Sequence, residues 1–242
     1  MHPVILVTGA SGGLGASTLT AVTGTVLGRG CAPTLVDTDF RGGGLDATLA
    51  VEHLEGLRWG DLADHEGPVD AEGLRRRLPA GPVPALAARG ARPSAATTAA
   101  VVEALTAIGP VVLDAPPGPV LPEELCRLVD VAVGLVGVRP RWLRDGERWA
   151  AGLGDLSDRT LVVTRGPRRA ERVAARAADH LGLPLLEHCA DDPGVLRDEA
   201  RGRAPRPRGA VGEVARVVVE SLPVTGVADA GVRADGVLGL VS

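Results

Sequence analysis

Three stretches of the chain carry residue types able to do chemistry together. The first, VILVTGASGGLGASTLT (Val4 to Thr20), runs from a β-branched apolar segment into glycines and then Ser17 and Thr18. Glycines so spaced let backbone N–H groups approach an anion at a helix N-terminus, where a hydroxyl can ligate a divalent cation. The second, VDTDFRGGGLD (Val36 to Asp46), supplies Asp37 and Asp39 ahead of a glycine-rich loop. The third, VVLDAPPG (Val111 to Gly118), ends an apolar segment on Asp114. A carboxylate at such an end suits a magnesium-bound water next to phosphates.

The glycine turn has two readings. Thr8-Gly9, Gly13 and Gly15 match the T-G-x-x-x-G-x-G spacing of short-chain dehydrogenases, and Asp37 stands where an acidic residue would take a ribose hydroxyl of NAD(P). That family's hydride chemistry needs a tyrosine beside a lysine. The chain has no tyrosine, and all 26 of its basic residues are arginine, so only a non-catalytic NAD(P) binder survives on that side. The second reading is a P-loop: Gly12-Gly13-Leu14-Gly15-Ala16-Ser17-Thr18 lies where a P-loop reads G-G-x-G-K-[ST]-T. Asp37, Asp39 and Asp114 at later strand ends favour it, because a dinucleotide turn explains only one of them.

These residues need a scaffold that gathers strand ends. Apolar runs at 4–8, 32–37, 82–88, 109–115, 129–138, 159–164 and 183–189 alternate with helical patterns at 15–29, 70–78, 95–107, 121–128, 140–153, 168–181 and 209–222. Alternation of this kind predicts an α/β domain: a mainly parallel sheet of about seven strands with helices on both faces. Ligands bind beyond the carboxyl ends of such strands, where all the singled-out residues fall. The domain is expected over 1–222, with a loosely ordered C-terminal tail over 223–242.

At 45% apolar residues and a net charge of −4, the chain can bury a core and bulk charge does not favour nucleic acid. The basic runs RGPRR and RGRAPRPR read as solvated loops. Cys31, Cys126 and Cys189 share no metal or disulfide spacing, and the five histidines fall in no ligand pattern. No leader or spanning segment is expected, which places the protein in the cytoplasm. Trp142 and Trp149 share a helical face and read as core, while Trp59 reads as the anchor of a switch-like loop or a partner.

SGGLGASTLT, VDTDFRGGGLD and VVLDAPPG together resemble the MinD/ParA group of P-loop ATPases, and in particular its CpaE-like or TadZ-like branch, called septum site-determining protein in actinobacteria. LVVTRGPRRA and LGLPLLEHCADDPGVLRDEARGRAP extend the resemblance over roughly 3 to 222. It implies ATP or ADP with Mg2+ on Gly12, Gly13, Gly15, Ala16, Ser17 and Thr18. Ser17 would ligate magnesium directly and Asp114 through water, Asp39 would orient the attacking water, and Thr164 and Arg165 would face the base. It further implies a homodimer, recruitment to septum or pole, and partners in the septum or the Tad pilus and secretion machinery.

Two lysines of the MinD-type loop are replaced here by Ser11 and Ala16. Losing one charge-assisted hydrogen bond costs roughly 1.5 to 3 kcal/mol, and losing a group aimed at transition-state charge costs about 10² to 10³ in rate. The expectation is therefore a spatial regulator with a degenerate Walker A, binding nucleotide weakly with little or no hydrolysis. The alternatives are an active ATPase using an unconventional arginine, Arg41 or Arg165, and a nucleotide-free interaction scaffold.

Overall fold

The computed structural model describes residues 1–118 and 121–222. The elements in chain order are β1 (Val4–Gly9), α1 (Ala16–Leu27), β2 (Thr34–Asp37), α2 (Leu45–Thr48), α3 (Ala71–Arg76), β3 (Ala85–Leu86), α4 (Ala95–Thr106), β4 (Val111–Asp114) and α5 (Glu123–Cys126). They continue as β5 (Val131–Gly137), α6 (Pro140–Ala151), β6 (Thr160–Gly166), α7 (Glu171–Leu181), β7 (Leu185–Ala190), α8 (Pro193–Glu199) and α9 (Gly209–Glu220). Two 3-10 segments, Trp59–Leu62 and Gly154–Arg159, lie in the connections.

The seven strands form one sheet in the order β3-β2-β4-β1-β5-β6-β7, and every pairing is parallel. Continuous burial of β1, β2, β4 and β5 is what a sheet covered on both faces requires. On one face α1 and α9 pack over Ile5, Val7, Val133 and Val163. On the other, Leu74, Val101, Val102 and Leu125 from α3, α4 and α5 close over Val4, Leu6 and Leu113. Trp149 of α6 extends that layer onto Val136 and Val162.

All seven strands and the seven helices expected from the sequence form. The differences are local. The helix expected from 168 begins at Glu171, because Arg169 adopts φ +61°, a left-handed conformation that no helix continues through. The strand expected over 82–88 pairs only at Ala85–Leu86, at the sheet edge. The sequence reading also lacked α2, the 3-10 segments and α8. Short helix α8 starts with Pro193 in its first turn and is capped by Asp192, which accepts from Gly194 N–H at 2.8 Å. Trp149 is buried as expected, whereas Trp142 is half-exposed, with the Arg139 guanidinium 5.0 Å from its ring centre. The expectation for 223–242 lies outside the described residues. Among those described, no helix is long and apolar enough to cross a membrane, and the three cysteines are free thiols.

Candidate functional site

The turn between β1 and α1 is shaped by its glycines. Gly13 and Gly15 sit at φ +78° and +90°, and a side chain on Gly9 would start 2.8 Å from the Ser11 carbonyl oxygen. Buried Leu14 pins the turn into the core. Gly15 is the N-cap of α1 and supplies no side-chain acceptor, and no acidic residue follows in the first turn. The amides at this end are left for an outside anion. The structure thus brings together Gly12, Gly13, Gly15, Ala16, Ser17 and Thr18 as one exposed-to-half-buried turn, with Leu14 its buried member. Ser11 Oγ is buried there without a hydrogen-bond partner among the described residues.

Sheet register delivers the carboxylates. Asp114 at the end of β4 aligns with Val7 on β1 and with Asp37 on β2. Burial pushes Asp114 up from 3.8 to about 7, opposed by hydrogen bonds from the Ser17 and Thr20 hydroxyls and reinforced by the nearby charges of Asp37 and Asp39. Thr20 Oγ1 donates to Asp114 Oδ1 at 3.2 Å. Asp37 is also raised by burial, against amides donated by Leu45 (2.8 Å), Asp39 (2.9 Å) and Ala88 (3.2 Å). Asp37 therefore ties three segments together. Asp39 accepts the Arg41 and Gly42 amides, each at 3.0 Å, and closes its own turn.

At the end of β6 the two expected base-facing residues have separate roles. Thr164 is fully buried and its hydroxyl meets His188 Nδ1 at 2.9 Å, while His188 Nε2 lies 3.0 Å from the Pro167 carbonyl oxygen. A carbonyl only accepts, so Nε2 carries the proton and, in the neutral ring, Nδ1 accepts from Thr164. Arg165 reaches toward the glycine turn. Its Nε donates to Asp191 Oδ1 at 3.1 Å, and its Nη1 lies 3.8 Å from Cys189 Sγ and 3.3 Å from where a Cβ on Gly15 would stand. Arg41 instead remains exposed in its own loop. Of the two arginines considered from the sequence, only Arg165 lies against Gly15.

The loop after Asp39 is held by Trp59, read from the sequence as the anchor of a loop or a partner, and by Arg58, which the sequence did not single out. Trp59, fully buried, donates Nε1–H to the Asp37 carbonyl at 2.7 Å. Arg58 is buried beside it and donates to the carbonyls of Val51, Leu54, Gly56 and Leu57, with Asp46 Oδ2 at 3.5 Å. Both residues stand in EGLRWGDLA (Glu55 to Ala63), where an Arg-Trp pair between two glycines is the available signal.

The donor set fits a magnesium-bound phosphate. No group of three or more His, Cys, Asp or Glu among the described residues closes around a metal position. Mg2+ does not require one, since it binds through one or two protein oxygens with phosphates and waters completing its shell. Ser17 and the buried Asp114 supply that minimum.

No protein-family profile matches the chain. The uncharacterized protein Rv3660c of Mycobacterium tuberculosis is 30% identical over 243 residues, spanning 92% of this chain, and its counterpart MT3760 in another strain matches equally. This chain spans 65% of the length of those relatives. Among solved structures, a ParA family ATPase from Chlorobium tepidum superimposes with a TM-score of 0.77 at 11% identity, covering 90% of this chain and 98% of that one. MinD in the MinC:MinD cell division complex of Aquifex aeolicus gives 0.69 at 21% identity, covering 92% and 98%. The septum site-determining protein MinD complexed with Mg-ADP from Pyrococcus horikoshii gives 0.62 at 20% identity, covering 90% and 96%. With its all-parallel seven-stranded sheet and glycine turn after β1, the chain has the MinD/ParA P-loop NTPase fold.

Proposed function

We propose that this chain is a MinD/ParA-like spatial regulator that binds ATP or ADP with Mg2+ weakly on the Gly12 to Thr18 turn, with little or no hydrolysis. The observation that carries this reading is the uncapped N-terminus of α1, entered through two left-handed glycines and facing the buried carboxylate of Asp114. Backbone amides would hold the phosphates, Ser17 the magnesium, and Asp114 a magnesium-bound water. When bound, the magnesium would supply charge compensation on the phosphates. The chain's own missing cations at Ser11 and Ala16 account for the weakness and for the loss of turnover. A homodimer, cytoplasmic location with recruitment to septum or pole, and partners of the septum or the Tad pilus and secretion apparatus complete the proposal. The MinD and ParA structural neighbours support positioning in general, and the sequence resemblance supports the finer branch.

Calorimetric titration with ATP and ADP in the presence of magnesium tests this directly. Saturable binding near a millimolar dissociation constant, about −4 kcal/mol, is expected, and Ser17→Ala should abolish its magnesium dependence. A folded sample that takes up no nucleotide would leave only an interaction scaffold. Placement of Arg165 against Gly15 favours a second reading, in which this arginine replaces the missing lysine charge and turnover survives. Steady phosphate release that depends on Asp39 and Arg165 would establish it.

A further inference from the structure

Helix α3 and its two caps present one stripe of residues to a second cavity. Asp70, Gly73, Leu74 and Arg77 fall at i, i+3, i+4 and i+7, and all four line a space of about 290 Å³. Val101 of α4 lines it too, and Leu57, Leu62 and Val69 do so from the connection before α3. Leu74 and Val101 are core residues, whereas Leu57, Leu62 and Val69 are only half-buried, so the cavity leaves apolar side chains open to water. Gly73 keeps the gap from being filled. A Cβ there would run into the carboxylate of Asp70, which caps the helix by accepting the Gly73 N–H at 2.9 Å.

We infer that this cavity binds a compact apolar acid, with its hydrocarbon body on the leucines and valines and its carboxylate on Arg77. The volume lies near the roughly 300 Å³ lower end of small-molecule sites, and the walls are pre-formed as in such sites. Leu57 N–H donates to the Arg77 carbonyl at 2.8 Å, and Trp59, between Leu57 and Leu62, is anchored on the Asp37 carbonyl at 2.7 Å. The inference goes beyond the nucleotide reading and does not depend on it, since no residue of the glycine turn lines this space.

Charge at the mouth selects the class of ligand. His65, Asp70 and Arg77 are exposed there. Asp70 is committed to its cap, and Arg77 lies seven residues on, about 10 Å along the helix axis. Neighbouring Arg76 pairs with Glu72 at 3.2 Å, whereas no ion pair engages Arg77 among the described residues. An anion at the Arg77 end therefore meets an unmatched guanidinium and stays clear of the Asp70 charge. His65 adds a ring nitrogen that can donate or accept. A protein partner fits this mouth less well. The exposed large apolar side chains Val173, Leu185 and Leu196 lie on α7, β7 and α8, so no apolar surround of the extent a stable protein interface covers rings the cavity.

Methyl NMR of the full chain titrated with octanoate, and with 1-octanol as its uncharged counterpart, tests the inference. Both probes should shift the methyls of Leu57, Leu62, Val69, Leu74 and Val101 saturably and leave Val211 and Val218, in the core on the other side of the sheet, unmoved. Arg77→Gln should weaken octanoate binding about two- to fivefold, the range of an exposed ion pair, with 1-octanol unchanged. Val69→Phe, which puts a ring into the gap, should weaken both probes about tenfold or more. Thermal melts verify folding, and should Val69→Phe disturb it, the wild-type methyl map and Arg77→Gln decide. Absence of saturable shifts, shifts spread evenly over the chain, or an Arg77→Gln effect equal for the two probes overturns the assignment. Self-association that octanoate reverses would give the cavity to a second copy of the chain, and would overturn it equally.

Discussion

Asp114 holds its proton to about pH 7 in the folded chain, whereas the same carboxyl ionises near 3.8 when exposed. Between those values the folded state binds more protons than the unfolded one, so stability falls as pH rises from about 4 to 7 and levels off above. Asp37, raised in the same direction by its own burial, adds a slope of the same sign. Asp114→Asn should flatten this dependence and stabilise the protein at pH 8 by on the order of 2 kcal/mol, read from urea midpoints across the pH range. An unchanged slope would show that Asp114 is ionised throughout. Magnesium nucleotide supplies the positive ion that the buried Asp114 carboxylate lacks and should raise the midpoint at pH 8 more in the wild type than in the Asn variant, which keeps the backbone amides and Ser17. Arg165 offers the complementary test. On the second reading, in which Arg165 replaces the missing lysine charge, Arg165→Ala should weaken ATP binding about tenfold or more, with Arg165→Lys in between, because a point charge keeps the attraction and loses the fork. The glycine turn was legible from the sequence because its logic is local: spacing along one short segment. The approach of Arg165 to Gly15 was not, since it depends on β6 pairing Arg165 with Gly137 and β5 pairing Leu135 with Gly9.

At the scale of elements, the connection from α2 to the 3-10 segment at Trp59 is held by two buried side chains. Trp59→Phe deletes the hydrogen bond to the Asp37 carbonyl while retaining an aromatic ring, and is expected to cost about 1 kcal/mol. Arg58→Ala leaves several carbonyls without their donor and the buried Asp46 carboxylate with only the Ala47 amide and the more distant Arg89, and should cost about 3 kcal/mol. Chemical denaturation ranks the two, and hydrogen exchange should show the Arg58 loss concentrated in 45–58 rather than in β1 or β4. The strands themselves were readable because apolar β-branched runs in a doubly covered sheet need no partner information. Helix α8 was hidden by its Asp-Asp-Pro-Gly opening, which reads as a turn until Asp192 is seen capping it. Trp59 could be named as a loop anchor, but its acceptor at the end of β2 is fixed only once the intervening chain folds back.

Across the whole molecule, with a net charge of −4, arginines stand among the carboxylates at the carboxyl ends of the strands. Arg165 stands at the end of β6, Arg139 just beyond β5, and Arg41 in the loop after β2. Arg139 over Trp142 and Arg92 over Phe40, 5.5 Å from its ring centre, are held by stacking, which fixes their position without cancelling their charge. Two copies meeting through this end would bring the exposed Arg41 and the stacked Arg139 of each chain toward one another, a repulsion that polyphosphate bound between them would lower. The proposed homodimer should therefore be absent from nucleotide-free protein and form with ATP and magnesium, visible as a shift in sedimentation coefficient. Ser17→Ala should remain monomeric under the same conditions. Because polyphosphate would bridge guanidinium groups that remain partly solvated, raising ionic strength from about 0.05 to 0.5 M should dissociate the dimer as screening shortens to a few ångströms. A dimer that forms without nucleotide and persists in high salt would place the interface away from this end of the sheet.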